Sequence, residues 1–310
     1  MTPIADRTPD LTTRVGSLLL KNPVMSASGT FGYGLEFAPF YDISRLGAVV
    51  VKGLSLRPSP GNAPQRIVET PAGMLNAIGL QNIGVERFID DVMPRLDAAG
   101  AVCVANIYGR TTEEYEEVAR RLSERPTPAA IELNVSCPNV KEGGISFGST
   151  PEMLSRLARR VRAVTRKPLW VKLSPNVTDI GEMARAAEEA GADAVTLINT
   201  LVGMAVDPVT RRPRLANITG GLSGPAIRPV ALRMVWEACK AVSIPVVGIG
   251  GIQSAEDALE FLLVGAAAVQ VGTANFRNPN ACVEIIDGIR DFLVRGKIPS
   301  LGEYRGGLLL

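Results

Sequence analysis

Eight short apolar runs, with amphipathic stretches between most of them, constrain this sequence more than any other feature. They are PVMSAS (23–28), GAVVVKG (47–53), AVCVANIYG (101–109), AAIELNVS (129–136), PLWVKLS (168–174), AVTLINT (194–200), PVVGIGG (245–251) and AAVQVGT (267–273). Most are continuously apolar rather than alternating, the pattern of strands buried on both faces in a parallel sheet covered by helices. Hydrophobic residues make up 46% of the chain but aromatics only 5%, so the core is built from Ala, Val, Leu and Ile.

The intervening segments carry helical periodicity. TTEEYEEVARRLSE (111–124), TPEMLSRLARRVRAVT (150–165), TDIGEMARAAEEAGA (178–192) and SAEDALEFLLVGA (254–266) each open with Ser or Thr followed by acids, which caps a helix and suits its dipole. Strand and helix alternating to a count of eight predict a closed (β/α)8 TIM barrel, with an open doubly wound sheet as the rival. Two connections, 53–82 after the second strand and 201–228 after the sixth, are too long for a simple barrel and show no helical periodicity. They are expected to be functional insertions, because both follow carboxyl ends of strands, where barrel active sites lie. No linker is visible, so residues 1–310 are expected to form one domain, with the first twenty or so packed across the barrel floor.

Composition removes several chemistries. The chain has no histidine, which excludes Ser-His-Asp triads, Cys-His pairs and histidine metal sites together. GISFG (144–148) matches the G-x-S-x-G elbow of hydrolases, but no base is available and no strand leads directly into it. Cys103, Cys137, Cys239 and Cys282 are far apart, so no zinc or iron–sulfur site assembles locally, and the thiols read as reduced and cytosolic. A net charge of +2 gives no nucleic-acid footprint. The polar start lacks the apolar segment of a signal peptide, and the longest uncharged stretch, 261–276, is too short and broken to span a membrane.

In a barrel the strand ends face one another across the mouth. In order they deliver Ser28 and Gly29, Lys52 and Gly53, Asn106, Asn134, Lys172, Asn199 and Thr200, Gly250 and Gly251, and Gly272 and Thr273. This mouth is amide-rich, has two lysines and no strand-end carboxylate. Unpaired buried ammonium groups call for an anionic ligand or cofactor as their partner. Backbone N–H groups freed by GIGG and VGT predict a phosphate cradle, recurrent at this place in barrels. GIGGIQ is not G-x-G-x-x-G, so a mononucleotide fits better than a dinucleotide. Cys137, between Ser136 and Pro138 just past the fourth strand, is the thiol placed for chemistry. Without a histidine partner, base catalysis on a carbon acid suits it better than acyl transfer. The other three cysteines read as small core hydrophobes.

NVSCPN (134–139), MLNAIGLQN (74–82), WVKLSPN (170–176), INT (198–200), GGLSGPAIRP (220–229), GIGGI (248–252) and VGTANF (271–276) together resemble a class 1 dihydroorotate dehydrogenase, and NAIGLQN resembles the NAD-linked, two-subunit form. The resemblance implies a flavin mononucleotide (FMN) barrel that oxidises dihydroorotate to orotate in pyrimidine synthesis. Cys137 matches the base that takes the C5 proton. Lys52 and Asn76, Ala77, Ile78, Gly79 and Leu80 match positions that hold the substrate carboxylate and ring, and Asn134, Asn139, Asn199 and Thr200 match the amide cage around it. Lys172 matches the residue beside flavin N1 and O2. Ser28, Lys52, Gly53, Asn106, Asn134, Ile198 and Gly224 match further flavin contacts, and Gly250, Gly251, Gly272 and Thr273 the phosphate site. The resemblance further implies a cytoplasmic homodimer core with a separate electron-transfer subunit carrying FAD and [2Fe–2S], since this chain has neither the cysteines nor the fingerprint for them. A fumarate-linked form, a dihydropyrimidine dehydrogenase-like enzyme and a non-redox phosphate-binding barrel are the alternatives.

Overall fold

All eight apolar runs are strands of one parallel sheet: β1 Val24–Ser26, β2 Val49–Val50, β3 Cys103–Ile107, β4 Ala130–Asn134, β5 Leu169–Lys172, β6 Ala194–Leu197, β7 Val246–Ile249 and β8 Ala268–Val271. The computed structural model describes residues 8–136, 138–139 and 145–310. Neighbours in sequence are neighbours in the sheet from β2 through β8, and β8 pairs with β1. The ring closes where Met25 bridges Ala48 and the Gly47 N–H donates to the Val24 carbonyl at 2.8 Å. The result is a (β/α)8 barrel, as the spacing predicts.

The expected helices form, and their caps follow local chemistry. Thr111 Oγ1 accepts from Glu114 N ahead of helix Thr112–Ser123, and Thr150 Oγ1 from Met153 N ahead of Pro151–Val164. Ser254 and Asp257 make a reciprocal capping box for Ala255–Leu263. The third helix differs from expectation: Ile180–Glu189 is capped by Asp179, one residue beyond Thr178, because its carboxylate reaches Glu182 N at 2.9 Å. Helices bury their apolar faces against the outside of the barrel in one continuous core.

Inside the barrel, period-two alternation sorts side chains into layers. The floor is apolar: Met25, Val50, Val104, Ala130, Trp170, Ala194, Val247 and Ala268 meet Val15 and Leu20. Those two come from an N-terminal hairpin, Thr13–Val15 with Leu18–Leu20, whose Thr13 hydroxyl donates to the Ala267 carbonyl at 2.7 Å. This hairpin thus closes the floor, while Asp10 ahead of it pairs with the C-terminal segment at Pro299 and Leu301. Two residues further along the strands stand Asn106, Glu132, Lys172 and Gln270, all buried and polar.

The two long insertions are not structureless. Leu201–Met204, Thr219–Ser223, Gly73–Asn76 and Ile67–Thr70 combine into a four-stranded antiparallel sheet. It joins the connections after β2 and β6 through register pairs such as Gly221 with Asn76. This sheet contributes Asn76 and Ser223 to the cavity at the carboxyl ends of the barrel strands.

Candidate active site

Every strand end contributes to one cavity of about 580 Å³. Ser28 follows β1, Lys52 and Gly53 follow β2, Asn106 lies on β3, Asn134 on β4 and Lys172 on β5. Ile198, Asn199 and Thr200 follow β6, Gly250 and Gly251 follow β7, and Gly272 and Thr273 follow β8; Asn76, Ala77, Ile78, Gly79, Leu80 and Gly224 come from the insertions. Of the residues nominated from sequence, only two escape this test. Cys137 lies outside the described residues, and for Asn139 only the backbone is described, paired with Ile145. The cavity also has walls that the sequence reading missed, among them Thr30, Gln81, Ser136, Ser223 and Phe276. Ser136 sits in the NVSCPN motif and was legible by position. Ser223 reaches the site only through the insertion sheet.

The amides are organised by one another. Asn199 Nδ2 donates to Ser136 Oγ at 3.0 Å and to Asn134 Oδ1 at 3.3 Å, while Asn199 Oδ1 accepts from Thr200 N at 2.8 Å. Residues 76–80 are pinned from outside the cavity. Asn62 donates from its backbone N–H to the Ile78 carbonyl and from Nδ2 to the Ala77 carbonyl, both at 2.9 Å, and the Tyr108 hydroxyl donates to the Leu80 carbonyl at 2.6 Å while accepting from Asn82 Nδ2. Leu80 is held at φ 57, a conformation that L side chains adopt only when surroundings demand it. Thr273 Oγ1 donates to Ser223 Oγ at 2.8 Å, tying the end of β8 to the insertion sheet.

The glycine segment has a packing reason. Gly250 at φ 133 and Gly251 at φ 74 pass so close to helix Arg228–Ala241 that a Cβ on either would stand 2.7 Å from Ala231 or Arg228 Cβ. That helix begins without a side-chain cap. The helix that follows Gly251 in sequence is capped by its own Ser254 and Asp257, and the one at Arg228 is preceded by the turn Pro225–Ile227, in which Ile227 N donates to Gly224 O at 3.1 Å and Arg228 N to Pro225 O.

The two lysines have different surroundings, which corrects the expectation that both lack a counter-charge. Lys172, 5% exposed, lies with Nζ 3.4 Å from Oε1 of Glu132, which is 0% exposed. Glu132 lies mid-strand and points inward, so a survey of strand ends passes over it. Among the described residues, Lys52 has no such partner, and burial holds its ammonium below the usual lysine range, helped by nearby Arg66. The remaining described thiols are inert. Burial pushes Cys239 and Cys282 up to about 12, and Cys103 also upward. Among the described residues no three Cys, Asp or Glu side chains gather as a metal site, and no helix is long and apolar enough to cross a membrane.

The sequence model of the dihydroorotate dehydrogenase family matches residues 10–293. The chain belongs to the dihydroorotate dehydrogenase family. It is 56% identical over 300 residues to the dihydroorotate dehydrogenase B (NAD(+)) catalytic subunit of Geotalea daltonii, covering 97% of this chain and 98% of that one. The proteins of the same name from Trichlorobacter lovleyi and Solidesulfovibrio magneticus are each 57% identical over 300 residues, covering 97% and 96% of this chain and 99% and 98% of theirs. Enzymes of the dihydroorotate dehydrogenase family are flavin-dependent.

Proposed function

We propose that this chain is the catalytic subunit of an NAD-linked dihydroorotate dehydrogenase, a single-domain cytoplasmic enzyme over residues 1–310 that oxidises dihydroorotate to orotate in pyrimidine biosynthesis. The observation that carries this reading is the convergence of the family's motif residues, from all eight strand ends, on one cavity.

The residues fit FMN. The Gly250–Gly251 turn and the end of β8 at Gly272 and Thr273, on adjacent strands of the cavity wall, suit a phosphate. Lys172 supplies a buried cation, Asn106 Oδ1 is a buried acceptor without a partner, and a Cβ on Gly29 would meet nothing within 4 Å. Ser28, Gly53, Ile198, Gly224, Gly272 and Thr273 complete the enclosure. Bound FMN supplies the two-electron acceptor for the hydride that leaves C6 of the substrate.

The chain's own residues do the rest. Lys52 pairs with the substrate carboxylate, and burial sharpens that attraction by removing competing water. Asn76, Asn134, Asn139, Asn199 and Thr200 present donors and acceptors to the ring amides. The segment Ala77, Ile78, Gly79 and Leu80 shields the ring from water. The Cys137 thiolate takes the proton from C5, so that the C5–C6 double bond forms as hydride departs. Electrons then pass to a separate subunit carrying FAD and [2Fe–2S], around a homodimer core of this chain.

Spectral titration tests the reading. Orotate should perturb the flavin spectrum of the purified protein and uracil should not. The opposite pattern would assign a dihydropyrimidine substrate, and colourless protein that takes up no FMN would end the proposal.

A further inference from the structure

At the centre of the barrel a carboxylate sits in a position that the proposed chemistry does not itself require. Glu132 is fully buried, and three side chains converge on it. Oε1 accepts from Asn106 Nδ2 at 2.6 Å and faces Lys172 Nζ at 3.4 Å, and Oε2 accepts from Gln270 Nε2 at 2.7 Å. The two amides are oriented by this charge, since turning either one would set its oxygen against the carboxylate. Their own oxygens, Asn106 Oδ1 and Gln270 Oε1, consequently find no hydrogen-bond partner. The contact to Lys172 is longer than the 2.7–2.9 Å typical of a charge-assisted hydrogen bond. Among the described residues Glu132 is the only hydrogen-bond partner of the Lys172 ammonium, which leaves its other protons for whatever occupies the cavity it lines.

We propose that Glu132 is a positioning residue that sets the reduction potential of the bound flavin. It holds Lys172 and Asn106 at the cavity wall, and its negative charge offsets part of the lysine's field, so that the reduced cofactor is stabilised less than Lys172 alone would stabilise it. Buried charges interact strongly because little water screens them. The inference rests on the reading that FMN occupies this cavity.

The test is the midpoint potential of the FMN-loaded protein, a quantity that loss of packing alone would not move in a set direction. Glu132→Gln should bind reduced over oxidised FMN at least about tenfold more selectively than wild type, a positive shift of about 30 mV for a two-electron couple. Glu132→Asp, which keeps the charge, should stay near wild type. A potential that is unshifted from wild type, or shifted negatively, in Glu132→Gln overturns the inference. If that variant does not fold, Lys172→Met is compared with Lys172→Met/Glu132→Gln, which removes both charges. The double variant should have the more positive potential of the two, and equal potentials overturn the inference. Wild-type protein that takes up no FMN removes the functional reading as well, whereas FMN-loaded wild type with unshifted variants removes only the role of Glu132.

Discussion

Replacing Gly251 with alanine should damage the end of β7 through two separable effects. Gly251 has φ 74, where an L residue costs about 1–2 kcal/mol. Its new Cβ would also stand 2.7 Å from Arg228 Cβ and 2.9 Å from Arg228 N. Backbone in the first turn of a helix cannot swing aside as a flexible side chain can, so overpacking adds about 1–3 kcal/mol. Arg228 in turn pairs with Asp257, whose Oδ2 accepts from Gln253 N at 2.8 Å and Ser254 N at 3.2 Å, so the displacement reaches the cap of the next helix. The sum, about 2–5 kcal/mol, is a large share of the 5–15 kcal/mol typical of a folded protein. Gly29→Ala is the internal control. Gly29 has φ 90 but a Cβ there meets nothing within 4 Å, so only the backbone cost of about 1–2 kcal/mol applies. Urea unfolding of the cofactor-free proteins, compared at their midpoints, should place Gly251→Ala about 1–3 kcal/mol below Gly29→Ala. Equal losses would refute the claim that this turn is packed against the helix start.

Cys137→Ala should leave FMN bound and slow its reduction by dihydroorotate by about two or more orders of magnitude, read by anaerobic stopped flow. For Lys52 the sign follows from its lowered pKa. Below that pKa the buried ammonium costs stability, a cost relieved as pH rises towards the ordinary lysine value of 10.5, while the substrate carboxylate loses its partner over the same window. The KM for dihydroorotate should therefore climb at alkaline pH before 10.5 is reached, whereas Lys52→Met should show a high KM that no longer rises there. Trp170→Ala, in the apolar floor with Val15 and Leu20, should cost about 3–5 kcal/mol in denaturant titrations yet retain FMN, because the floor lies below the polar layer.

The barrel was legible because its strands are buried on both faces and announce themselves as unbroken apolar runs. The cap residues were nearly so, with Asp179 displacing Thr178 only because its carboxylate reaches Glu182 N. The sheet built from the two insertions was not legible. Its strands are short, half exposed and rich in glycine, and their pairing, such as Gly221 with Asn76, depends on elements far apart in sequence. Glu132 was hidden for another reason. Within AIELN it interrupts an apolar run, and only barrel closure reveals that alternation turns it inward towards Lys172, Asn106 and Gln270 while Ile131 and Leu133 face the helices. Lys52 and Lys172 look equivalent as strand-end lysines, and their different surroundings follow from that single hidden carboxylate.

The most direct measurement mixes FMN-loaded protein with dihydroorotate in the absence of oxygen and any partner subunit. The flavin should bleach and orotate appear in equal amount, since the cavity and the base are supplied by this chain alone. Flavin that stays oxidised in the presence of saturating dihydroorotate would contradict this.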